Sequence, residues 1–474
     1  MNELEYMGVW WLPENPDEKI EGILKFSRSE EGTLKLFSSF SKSSDTNKLM
    51  DEVNIILGFS ISPEVGDITL YNCFEKSKHF SMSLTKPNST FVINQVMVGT
   101  HFQTEKDIQF KNISVDFPHL AEWVGVSGFD IERNHEEYKA KVEFKLPETI
   151  NCGKINKEYK IEIAFRSYSE SFIVQTDASI EQETYFYIEA DSEKPLDDFQ
   201  RIIYYLGTFL SLAFEKPVHR QALKGKTITG DWVKVYSRFI DDYDYSKRLD
   251  NYDMRFTYDD IKDKDSITKW FDRLDILEPV YNLYATILSK STRFMEHRFL
   301  NLVQALEAYH RFTQNNEELE GKNINIKKEI LKNTPDKYKE WLKEKLSYSH
   351  ELSLRQRLND IYDKYSDILS DFTDKKKFIN QVVTTRNYHT HFDKKLKDEA
   401  ATGKKLYDLN EELKRIVNLC LFEEIGFDPE ELRAIFSDTS NYLLKNPTMK
   451  KRLLDAKKHS DTISSEVVRE KLRI

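Results

Sequence analysis

The sequence predicts an α+β multidomain protein, an N-terminal antiparallel β-sandwich-like domain followed by a mostly α C-terminal helical bundle. Three observations predict it. Two-residue apolar alternation is concentrated before residue 190, three- and four-residue apolar spacing takes over after Pro195, and 474 residues are enough for two or three cores.

Composition narrows the class. A net charge of −10 argues against a wholly basic nucleic-acid wrapper while leaving room for a local basic groove. With 15 glycines, 12 prolines and 39% hydrophobic residues, the chain is neither collagenous nor largely disordered. Cys73, Cys152 and Cys420 stand far apart, so neither a disulfide framework nor a cysteine zinc site is expected, and a reducing cytoplasm fits. The first residues are acidic, unlike a secretory signal. The longest nearly apolar run, 202–214, is well short of the roughly 20 residues that span a bilayer, so no membrane segment is expected.

The β domain is placed at 1–190. Gly22-Ile-Leu-Lys-Phe-Ser, Thr33-Leu-Lys-Leu-Phe, Phe91-Val-Ile-Asn and Tyr138-Lys-Ala-Lys-Val-Glu-Phe alternate apolar with polar residues, as half-buried strands do. Turn clusters at Ser43-Ser44-Asp45 and Lys86-Pro87-Asn88-Ser89 separate the runs closely enough to favour a sandwich or barrel over a parallel sheet.

A helical and mixed bridge is placed at 191–265. Phe199, Ile202, Ile203, Leu206, Leu210 and Phe214 recur at helical spacing and predict one buried face. Residues 241–265, with nine acids and five bases, read as a solvated loop.

The bundle is placed at 266–430. Amphipathic stretches near 267–290, 294–315, 326–346, 351–368, 373–394 and 405–424 are joined by short polar connections and predict antiparallel neighbours. In the second, Leu302, Ala305, Leu306 and Tyr309 form a core stripe, and Glu307 is spaced to pair with His310 and Arg311. A helical extension and tail occupy 431–474, where nine Lys/Arg exceed four Asp/Glu over 445–474. Residues 322–357 are also basic, and Lys375-Lys376-Lys377 opens the fifth stretch.

Several familiar sites are absent from this pattern. Gly225-Lys226-Thr227 resembles the end of a phosphate-binding loop, but Arg220 stands where the earlier glycine is required. His389 and His391, two apart on a helix, point about 200° apart, so a metal pair is not expected, and no cofactor motif appears. There is no serine elbow.

Thr384-Thr385-Arg386-Asn387-Tyr388-His389-Thr390-His391 is the segment that carries chemistry. It holds arginine, four residues, then histidine, with asparagine directly after the arginine. The motif resembles the active site of the HEPN superfamily, helical bundles many of which are metal-independent endoribonucleases. Spacing alone is weak, since about 1.4 such matches are expected by chance. Arg452 and His459 form a second one. Context selects the first: Asn387 follows Arg386 late in a bundle, whereas Leu453 follows Arg452 in a charged terminal stretch.

The resemblance gives roles to residue types suited to them. RNA is cut when its own 2′-hydroxyl attacks phosphorus, which needs a base, an acid for the leaving oxygen and a cation for the developing charge. His391 is the expected acid/base and Arg386 the phosphate clamp, because imidazole titrates near neutrality and guanidinium forks onto phosphate. Asn387 and His391, four apart, share a helix face, whereas Arg386 lies about 140° around from His391. The family solves this by joining two copies of the motif in one dimeric cleft, which the resemblance implies here.

The similarity extends to the first half. Gly8-Val-Trp-Trp-Leu-Pro, Gly22-Ile-Leu and Leu120-Ala-Glu-Trp-Val-Gly-Val resemble the β domain of ApeA-type proteins, and Leu302–Arg311 resembles the helix preceding their motif. This implies an anti-phage system acting by abortive infection, with an RNA substrate, a HEPN-mediated homodimer, an unknown phage-derived trigger and a sensor or inhibitory N-terminal domain. Some HEPN toxins carry a tyrosine two residues after the histidine, where a partner enzyme attaches nucleotides. Asp393 occupies that position here, so this control is not implied. The rival expectation is a non-catalytic HEPN-like module that binds nucleic acid or protein.

Overall fold

The computed structural model describes residues 4–27, 30–40, 53–62, 65–79, 88–134, 139–169, 179–237, 249, 253–288, 294–314, 317–347 and 351–436. The turn at Ser43-Ser44-Asp45, residues 241–248 of the expected loop, Arg452, His459 and the basic tail lie outside them. The chain divides into two compact units, Met1–Phe271 and Asp272–Ile474.

In the first unit, β1 (Leu4–Trp11), β2 (Ile20–Phe26), β3 (Gly32–Leu36), β4 (Val53–Ser60), β5 (Asp67–His79) and β6 (Asn88–Val98) form an antiparallel barrel. The order is β6-β3-β2-β1-β4-β5, and β5 pairs back onto β6 to close it. The alternation read from sequence turns Leu24, Leu34, Phe91 and Ile93 inward around Trp10. The indole Nε1 of Trp10 donates to the Gly22 carbonyl at 3.3 Å, so the ring is buried without an orphaned donor.

The sheet then runs on beyond the barrel. After β7 (Gln109–Asp116) come α1 (Leu120–Val124), a separate hairpin of β8 (Phe129–Asn134) and β9 (Lys139–Phe144), then β10 (Ile150–Ile155), β11 (Tyr159–Ser169) and β12 (Ile180–Pro195). Next follow α2 (Leu196–Phe214), β13 (Ala222–Lys226), β14 (Trp232–Ser237), α3 (Tyr258–Ile261) and α4 (Ser266–Asp272). The open part has the order β14-β13-β7-β12-β11-β10.

The expected sandwich is thus a six-stranded barrel continued into an open sheet. Alternation is the same in both architectures. What decides between them is β6, whose Ser89–Ile93 pairs with β3 while Gln95–Val98 pairs with β14, a branching of the sheet that no local period announces.

Residues expected to form a bridge over 191–265 belong to this unit, since β13 and β14 lie inside its sheet. All six apolar residues predicted for α2 are buried, but the helix is buried nearly all round rather than on one face. Phe199 meets Tyr159 of β11 at 5.7 Å on the sheet side, while Phe209 meets Phe256 at 5.7 Å and Trp270 at 5.8 Å on the other.

The second unit is helical: α5 (Leu274–Leu288), α6 (Met295–Thr313), α7 (Glu317–Lys332), α8 (Asp336–Lys345), α9 (Leu354–Lys364), α10 (Ser366–Leu369), α11 (Lys375–His391), α12 (Gly403–Glu424) and α13 (Pro429–Phe436). α6 lies at its centre, packed against α5, α9, α11 and α12, and its predicted stripe of Leu302, Ala305, Leu306 and Tyr309 is buried.

The helix expected over 326–346 is broken into α7 and α8 around Asn333-Thr334-Pro335, since Pro335 lacks an N–H and restricts the residue before it. Residues 321–346 bury no side chain, leaving Ile326, Trp341 and several lysines exposed. No described helix is long and apolar enough to cross a membrane.

Candidate active site

α11 carries the motif. Asp374 caps its start, the carboxylate accepting the Lys377 N–H at 2.8 Å, and Lys375 is paired with Asp363 of α9 at 2.6 Å. Phe378, Ile379, Val382 and Thr385 form its buried stripe, at the three- and four-residue steps that seat α11 on α6 and α9.

The stripe is polar at its last position. Thr385 is fully buried, and its Oγ1 accepts the Ala401 backbone N–H at 2.9 Å and Gln381 Nε2 at 3.2 Å. Gln381 Nε2 also donates to the Glu399 carbonyl at 2.8 Å. The strap after α11 is therefore fastened beside Arg386. Within it Asp393 caps a short 3₁₀ turn, accepting the Lys395 N–H at 3.0 Å, a local task for the residue two past His391.

Arg386 and Asn387 are half-buried and joined to each other, Arg386 Nη1 donating to Asn387 Oδ1 at 3.4 Å. His391 is exposed in the last turn, on the helix face it shares with Asn387. The turn ends at Phe392, whose backbone is left-handed with φ of 51° and whose N–H closes onto the Tyr388 carbonyl at 2.7 Å. Lys394, Lys395 and Lys397 follow on the surface, interleaved with the exposed Asp393, Asp398 and Glu399.

His389, the other histidine, turns inward. Its ring packs 6.2 Å from Phe299 of α6 and 5.1 Å from Tyr388, and its Nε2 is buried with no hydrogen-bond partner among the described residues. The chain thus offers Arg386, Asn387 and His391 at the end of α11, the first two in contact and the third on the Asn387 face.

The bundle also holds a buried polar group, on α6 and α9, away from the motif end of α11. His310 is fully buried in α6, hydrogen-bonded through Nε2 to Asp360 Oδ2 at 2.9 Å, while its Nδ1 accepts Arg357 Nη1 at 3.3 Å. Because guanidinium can only donate, Nδ1 is an acceptor and the imidazole is neutral with its proton on Nε2. Burial lowers the His310 pKa from its ordinary value, and the Asp360 hydrogen bond opposes that shift. Arg357 is also buried and donates through Nε to the Leu352 carbonyl at 3.1 Å.

This arrangement replaces the pairing expected for Glu307. His310 takes Asp360, and Arg311 takes Glu351 at 2.7 Å. The partners lie about 40–50 residues downstream, beyond the reach of three- and four-residue spacing.

Two protein-family models match the chain, one in each compact unit. Residues 5–270 match the model of ApeA N-terminal domain 1, ending one residue before the first compact unit does, and residues 300–431 match Apea-like HEPN. No curated protein and no solved structure matches the chain. With more than half its length covered by the first of these models and the motif helix inside the second, the chain belongs to the ApeA family and pairs an ApeA N-terminal domain 1 with an Apea-like HEPN domain.

Proposed function

We propose that the protein is a HEPN endoribonuclease acting in anti-phage defence by abortive infection, and that it cuts RNA by internal 2′-hydroxyl attack without needing a metal. The observation that carries this reading is the Arg386–Asn387 contact beside an exposed His391, on the last turns of one helix of a HEPN-family domain.

Each group has a task that its chemistry suits. Arg386 binds the scissile phosphate and offsets charge on the phosphorane, held in place by Asn387. His391 moves protons, taking one from the 2′-hydroxyl or giving one to the 5′-oxygen. A single imidazole cannot stand on both sides of the phosphate, so two protomers form a composite cleft, one histidine as base and the other as acid. Exposure of His391 at a helix end is compatible with such a shared site. The lysines after α11 and on the α7–α8 hairpin draw in the backbone.

Product chemistry tests this directly. Protein purified from infected cells and incubated with RNA in EDTA is expected to leave 2′,3′-cyclic phosphate and 5′-hydroxyl ends. Ends carrying 5′-phosphate contradict the reaction, and RNA binding without products favours the non-catalytic module instead.

A further inference from the structure

The open sheet of the first unit has two unlike faces. Ile113 and Val115 of β7 point into the core with Phe186 and Ile188, toward α2. On the other face the register sets Asn112 between Glu189 of β12 and Lys226 of β13, and Ser114 between Tyr187 and Lys224. One strand further out, Lys224 is opposite Lys234 and Lys226 opposite Trp232.

Small residues on the middle strand and long ones on its neighbours make a trough along β7. Two strand spacings set its walls about 10 Å apart. Tyr187 rises on one side and Lys224 and Lys226 on the other.

Charge is uneven across it. Asp116, which ends β7 on the face of Asn112 and Ser114, is paired with Arg166 of β11 at 3.2 Å; Arg166 also pairs with Glu183 at 2.5 Å, and Lys160 pairs with Glu162 at 2.7 Å. Lys224, Lys226 and Lys234 form no ion pair among the described residues, and Lys226 lies 5.8 Å from the centre of the Trp232 ring. The floor holds an unmet acceptor as well. Asn112 is 8% exposed, and its Oδ1 has no hydrogen-bond partner among the described residues.

We infer that this trough binds a nucleotide unit whose base carries an exocyclic amino group. The three lysines take the phosphate, Tyr187 or Trp232 stacks on the base, and Asn112 Oδ1 accepts an amino N–H. Free nucleotides and single-stranded nucleic acid share this chemistry. The site lies in the N-terminal unit and does not depend on the nuclease reading.

The test is equilibrium binding to the full-length protein carrying Arg386→Ala, which removes the other phosphate clamp. The probes are ATP, CTP, GTP and UTP, together with eight-residue single strands of A, C or U. Saturable binding of an amino-bearing nucleotide or strand is expected, tighter than UTP or the U strand. Saturation by a free nucleotide assigns a small-molecule ligand, and saturation by strands alone assigns a single strand.

Lys224→Glu with Lys226→Glu is expected to weaken binding at least tenfold, Tyr187→Leu about tenfold. Asn112→Ala should erase the preference over the uracil probes. Lys234→Glu, at an exposed position, repeats the charge test should the double reversal fail to fold. The inference is overturned by no saturable binding up to about 1 mM, or by binding that Lys234→Glu and Lys224→Glu leave unchanged.

Discussion

Thr385 Oγ1 accepts the buried backbone N–H of Ala401 across the strap that follows the motif helix, at 2.9 Å. Thr385→Val keeps the volume and removes the acceptor, leaving that N–H unsatisfied. A loss of about 1–3 kcal/mol is expected in urea unfolding. Cleavage should fall as well, because the strap bears on the turn next to Arg386. Unchanged stability would mean that the strap is held elsewhere.

His310 makes the bundle sensitive to acid. Burial holds its folded pKa below the ordinary value of about 6.5, so the unfolded chain binds the proton more readily. Its contribution is complete above the unfolded pKa and is lost as pH falls through it toward the folded value. Protonation would also set imidazolium against Arg357. Unfolding followed by helix signal from pH 8 to 5 should therefore show a steeper loss for the native chain than for His310→Gln, which is less stable at pH 8. Parallel curves would contradict this.

Arg386→Lys retains charge but loses the planar fork and the contact with Asn387. Cleavage is expected to drop more than tenfold with thermal stability unchanged, and Asn387→Ala to give a smaller loss. Equal activity of arginine and lysine enzymes would reduce Arg386 to a point charge.

In the barrel, a Cβ at Gly58 would lie 2.2 Å from the Trp10 ring. Gly58→Ala should cost about 3 kcal/mol, at the upper end of core overpacking. Trp10→Phe together with Gly58→Ala should recover part of that loss in the same unfolding measurement.

These positions show where sequence was informative. Strand alternation around Leu24 and Leu34 and the α6 stripe were legible because burial repeats at the period of each element. Barrel closure was not, since it depends on β5 meeting β6 in register. The placement of α2 between two layers was half legible, because its second buried side rests on Phe256 and Trp270, more than 40 residues on. Around the motif, the residues themselves could be chosen from their types and order. The Thr385–Ala401 clasp and the His310–Asp360–Arg357 group could not, because their partners are brought together only by helix packing.

The central claim is that His391 moves the proton that lets RNA cut itself. Single-turnover cleavage of one RNA, in EDTA, by native and His391→Ala proteins of matched dimer content and melting temperature tests it most directly. A rate at least a thousandfold lower in the variant, with RNA affinity retained, is the predicted result. Cleavage within a few-fold of native would contradict it.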